Sequence, residues 1–107
     1  MSTRKPRKWL TLDSVLGSVD VYLIKGLTDE TGTPVDGLFL PDKLIICIDG
    51  DLAPDRIRST LLHEMLHLAF ASGSKSKMLE DNEEEFVSFM ETPLFDLLRR
   101  NKMLRLP

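Results

Sequence analysis

Scarcity sets the first limits on this chain. It has one cysteine, one tryptophan, one tyrosine and only two histidines in 107 residues. A lone thiol cannot close an internal disulfide, and Cys47 sits in the apolar run LIICI. It therefore reads as a small buried hydrophobe rather than a nucleophile, which fits a reducing cytoplasm. No apolar run approaches the roughly 20 residues that a membrane span needs. The start, MSTRKPRKWLTLDSVLG, is basic, but Thr11, Asp13 and Ser14 interrupt the apolar stretch behind it, so no secretory signal is read there. Internal repeats and low-complexity tracts are missing too.

What is present is an ordinary globular composition, 42% hydrophobic and 29% charged. The length suits one domain with a modest core, read here as residues 10–107 behind a flexible basic arm at 1–9. The net charge is only -3, but it is unevenly spread. Arg4, Lys5, Arg7 and Lys8 crowd one end and Arg99, Arg100, Lys102 and Arg105 the other, while all 17 acidic residues lie between. Basic ends of this kind sometimes touch nucleic acid; a solvated tail is the simpler reading.

Strands precede helices. SVDVYLIKGL alternates Val19, Val21 and Leu23 with more polar neighbours, which predicts a half-buried strand near 19–25. TDETGTPVDG is turn-rich, LFLP follows as a short strand, and KLIICID gives a strongly apolar strand over 43–49. Pro54 and Asp55 then suit a helix first turn. From Ile57, the residues Leu61, Leu62, Met65, Leu66, Leu68, Ala69 and Phe70 recur at helical spacing until SGSKS, with Gly73 a suitable end, so a helix is expected over about 54–72. LEDNEEEFVSFME predicts a second helix, and Pro93 starts or kinks a third piece, LFDLLRR. The order is that of an α+β fold.

Both histidines lie in one stretch, TLLHEMLHLA. Residues four apart on a helix differ by about 40° in azimuth and 6 Å in rise, so His63 and His67 can present their imidazoles to one ion. Glu64 follows His63 by about 100° and sits beside that ion rather than on it. Two neutral nitrogen ligands, an open position for water and a carboxylate to take its proton are what a zinc hydrolase requires. The pattern alone also occurs on helices that merely carry two imidazoles. Here the leucines around it make the helix apolar enough to be buried, and a buried imidazole pair needs hydrogen-bonding or metal partners.

TLLHEMLHLA resembles the extended zincin signature, with a threonine three before the first histidine and uncharged residues around both. More narrowly, LIICIDGDLAPDRIRSTLLHEMLHL followed by EDNEEEFVSFM and LFDLLRRN resembles small phage and prophage proteins grouped near the ImmA/IrrE-type metallopeptidases, with SprT-like proteins as more distant relatives. The match covers roughly residues 38–101 and is strongest at the histidine helix. It implies a minimal zincin-like domain: a short N-terminal antiparallel sheet, the active-site helix, and one or two C-terminal helices. It also implies Zn²⁺ as cofactor, a protein or peptide substrate, and Glu64 as the catalytic base.

A third protein ligand is expected downstream. Glu83 lines up at i+3, i+4 and i+7 with Phe86, Val87 and Met90, an apolar face that would turn toward the first helix. Glu84 shares its face with Val87, Ser88 and Glu91 and ranks second. The resemblance supports a glutamate opening this helix, so the expected ligand set is His63, His67 and Glu83, with Glu84 as the alternative. An Asp or Asn four residues after the ligand steadies many such sites; here that position is Val87, or Ser88 if Glu84 is the ligand. No oxyanion helper stands out among Tyr22, Arg56 and Arg58. Three functions follow: a zinc-dependent peptidase acting on a specific protein, phage-encoded by resemblance; a non-catalytic zinc-stabilised module; or an SprT-like protease acting on DNA-associated protein.

Overall fold

A β-hairpin begins the described chain. The computed structural model describes residues 5–72 and 81–101. In it, β1 (Arg7–Ser14) and β2 (Gly17–Ile24) pair antiparallel around Val15 and Leu16. Gly17 leaves that turn at a φ of 123°, a conformation that an L side chain rarely adopts. Arg7, Lys8 and Trp9 were expected in the flexible arm and belong to β1 instead. Trp9 lies where the β1–β2 register shifts and packs against the core, and Lys8 reaches Asp20 at 3.2 Å. An edge strand leaves charged side chains in water, so its sequence resembles that of a tail.

The second hairpin joins β3 (Gly37–Leu40) to β4 (Ile45–Asp49), and β4 lies parallel to β2. Strand order is β1-β2-β4-β3. With its two helices this is the expected α+β fold; the expected antiparallel pairing holds for β1–β2 and β3–β4, while β2–β4 is parallel and makes the sheet mixed. LIICI, apolar without alternation, is the pattern of a strand covered on both faces, and Ile46, Cys47 and Ile48 are all buried.

Helix α1 (Pro54–Ser72) covers one face of this sheet. Val19, Val21 and Leu23 from β2 and Ile46 and Ile48 from β4 meet Leu61 and Leu68 there, forming the core. As expected, Pro54 opens the helix, and the Ile57 N–H donates to the Ala53 carbonyl at 2.9 Å. Gly73, expected just past its end, lies outside the described residues, as do Arg4, Lys102 and Arg105. Replacing the fully buried Leu61 with alanine should cost about 2–5 kcal/mol of unfolding free energy, measured by urea titration, because the cavity left between helix and sheet cannot collapse fully.

Helix α2 (Glu83–Arg100) packs on α1. Glu83, Glu84 and Glu85 occupy its first turn and Arg99 and Arg100 its last, each charge opposing the nearer end of the helix dipole. It runs through Pro93 as one helix, where a break or a third piece was expected. Pro93 has no N–H for the Phe89 carbonyl, but Phe89 and Pro93 are both exposed and water can serve that carbonyl. Among the described residues no helix is long and apolar enough to cross a membrane.

Candidate metal centre

The two histidines occupy one face of α1, a turn apart, with ring centroids 5.0 Å from each other. Helix α2 brings three carboxylates to them. Glu84 lies between the rings, its Oε1 3.1 Å from His63 Nε2 and its Oε2 2.8 Å from His67 Nε2. The far nitrogens are taken as well: His67 Nδ1 is 2.7 Å from Glu83 Oε2, and His63 Nδ1 is hydrogen-bonded to Glu91 Oε1. Carboxylate and imidazole therefore alternate along a five-member chain, Glu91, His63, Glu84, His67, Glu83. One ligand atom each from His63, His67 and Glu84 falls within 4.8 Å of the other two.

Both glutamates weighed as the third ligand therefore reach the histidines, at different nitrogens. Glu84 faces both Nε2 atoms, and Glu83 holds the outer nitrogen of His67. The buried centre of α2 is Val87, fully enclosed, whereas Phe86 is 44% exposed and rests edge-on against Phe70, with ring centroids 5.4 Å apart. Turning Val87 inward carries Glu83, Glu84 and Glu91 toward α1. Glu83 has the more enclosed side chain, 25% exposed, and Glu84 reaches the Nε2 atoms from the rim at 69%.

Glu64 is buried beneath the pair, only 6% exposed. Burial is the main cause that pushes its carboxyl above the ordinary glutamate value; His63 and His67 pull it down, and Glu84 and Glu91 push it up. A carboxyl shifted this way holds a proton more readily than an ordinary glutamate, which suits a group that accepts and returns one. No family model, curated protein or solved structure matches the chain.

Room for Glu64 comes from Gly37 on β3. A Cβ there would lie 2.8 Å from Thr60 Cγ2 and 3.0 Å from Glu64 Oε2. Alanine at this position should destabilise the fold by about 1–3 kcal/mol, read from a melting curve.

Two clefts of about 510 and 500 Å³ flank the site and share Gly37, His63 and Glu64. Strand β3 forms one wall, and it is the free edge of the sheet on this side. Strand β4, by contrast, is paired on both sides. Because the Asp36 carbonyl accepts the Asp49 N–H at 2.8 Å, alternation turns the backbone groups of Gly37 and Phe39 away from β4. Of the earlier candidates for an oxyanion helper, Arg56 lines the first cleft and its Nε donates to Asp36 Oδ2 at 3.1 Å. Arg58 pairs with Asp55 at 3.6 Å instead, and Tyr22 lies on β2 between the inward-facing Val21 and Leu23, on the opposite face of the sheet. Sequence reasoning assigned no role to Glu91 or Gly37; the spacing of seven between Glu84 and Glu91 was the available signal for the first.

Proposed function

We propose that this protein is a zinc-dependent peptide hydrolase whose metal ligands are His63, His67 and Glu84. The observation that carries the reading is the convergence of both Nε2 atoms on the Glu84 carboxylate, with the buried, non-ligating Glu64 beside them at a cleft. The donor set fits the ion: two imidazole nitrogens and one carboxylate oxygen form a three-ligand catalytic zinc set. Donors held about 2.0–2.1 Å from a tetrahedral ion lie about 3.3 Å apart. The Nε2 to carboxylate distances of 3.1 and 2.8 Å are close to that and need only small adjustments.

When bound, Zn²⁺ lowers the pKa of a coordinated water to about 7 and polarises a carbonyl oxygen. The chain's own residues supply the rest. An extended peptide adds to the free edge of β3, its backbone pairing with Gly37 and Phe39. That places its carbonyls past His63 and Glu64. Glu64 takes a proton from water as the water oxygen bonds to the carbonyl carbon. The C–N bond then breaks as Glu64 hands that proton to the leaving nitrogen. A purely structural metal clip between α1 and α2 would gain nothing from burying Glu64, and this favours the enzyme over the non-catalytic module.

The test is hydrolysis of an unfolded protein substrate by the purified chain. Activity should disappear on treatment with a strong chelator and return on adding Zn²⁺. Activity indifferent to the chelator, or none at all with zinc bound at one equivalent, contradicts the reading.

A further inference from the structure

A histidine offers Nε2 to a metal only when its proton sits on Nδ1 and its ring is held at the right angle. An ionised carboxylate accepts hydrogen bonds and cannot donate them, so a carboxylate on Nδ1 selects that tautomer. For His67 the carboxylate is Glu83, which comes with Glu84 as its neighbour in the chain. For His63 it is Glu91, seven residues and two full turns beyond Glu84, about 10 Å further along α2. Ser88, one turn after Glu84, lines the same cleft but is exposed, and the partner on His63 Nδ1 is Glu91.

Resting on the metal-centre reading above, we propose that Glu91 is a positioning residue of this centre, fixing the tautomer and ring angle of His63 so that Nε2 faces Glu84. The two imidazoles are then held by one helix at three points: Glu83 and Glu91 grip the outer nitrogens, and Glu84 stands between the inner ones. Because Glu91 lies two turns along, the grip on His63 depends on α2 remaining helical well past its first turn. Glu91 also lines the cleft beside Arg56, whose guanidinium it favours electrostatically. The group that orients the ligand is therefore part of the cleft wall.

The experiment measures zinc affinity by competition with a chromophoric chelator and the visible spectrum of the Co²⁺-substituted protein. Glu91→Ala should weaken zinc binding about 10–100-fold and alter the Co²⁺ ligand-field bands. Glu91→Gln, whose amide oxygen still accepts the Nδ1–H, should recover most of both, and Ser88→Ala should change neither. Glu91→Asp keeps the charge but withdraws it by one methylene; it should shift both readouts in the same direction as alanine and gives a result even where the alanine variant does not fold. Unchanged affinity and an unchanged Co²⁺ spectrum in the alanine or the aspartate variant overturn the proposal while leaving the metal centre standing. An unaltered chain that binds no zinc overturns the metal centre and the proposal together.

Discussion

Replacing Glu64 with glutamine should leave one zinc bound and lower peptide hydrolysis by about 10²–10⁴-fold, the contribution of a positioned general base. The substitution is nearly isosteric, so the space against Gly37 and Thr60 remains filled. It also removes a carboxylate that burial already disfavours in its charged form, so folding should not suffer. The three proposed ligands are untouched. Zinc content from elemental analysis, measured beside the hydrolysis rate, separates the two roles. Full zinc with lost hydrolysis is the expected pair, and loss of zinc would make Glu64 a ligand instead.

The second large effect distinguishes two adjacent glutamates. Structural zinc binding is worth about 10–16 kcal/mol in small peptide sites; divided over three or four ligands, removal of one costs roughly 10²–10⁴-fold in affinity. Glu84→Ala should show a loss of that size. Glu83→Ala removes the partner of His67 Nδ1 and, on the proposed ligand set, should cost only about 10–100-fold. The comparison is informative because both variants carry the same change in charge at the same helix end, so the dipole and net-charge effects largely cancel. Calorimetric titration with Zn²⁺ gives both affinities. The reverse order would return the ligand role to Glu83.

The histidine helix was legible in the sequence because its determinants are local. Pro54 and Asp55 mark its start, leucines recur at helical spacing, and a separation of four residues places His63 and His67 together whatever lies around them. β4 was equally visible as an unbroken apolar run. Its parallel pairing with β2 was not, since strand partners depend on contacts between distant parts of the chain. β1 was hidden for a different reason: Arg7 and Lys8 are exposed on an edge strand and look like a tail until Gly17–Ile24 is there to pair with them.

Glu83 and Glu84 lie about 100° apart on α2 and both reach the histidines, so the apolar pattern alone does not divide the roles between them. Phe86, part of the inward stripe in the sequence reading, is 44% exposed, while the smaller Val87 is fully buried. Gly37 could not be found in advance at all, because its importance lies in a close approach to Thr60 and Glu64 from residues more than twenty positions away.

The most direct measurement is the structure of the protein crystallised with Zn²⁺, located by its anomalous scattering. The account predicts one ion bound by Nε2 of His63, Nε2 of His67 and a Glu84 carboxylate oxygen, with water at the remaining position within reach of Glu64. Glu83 and Glu91 should remain on the Nδ1 atoms. An ion whose fourth position is filled by a protein side chain, or no ion between the two histidines, would contradict it.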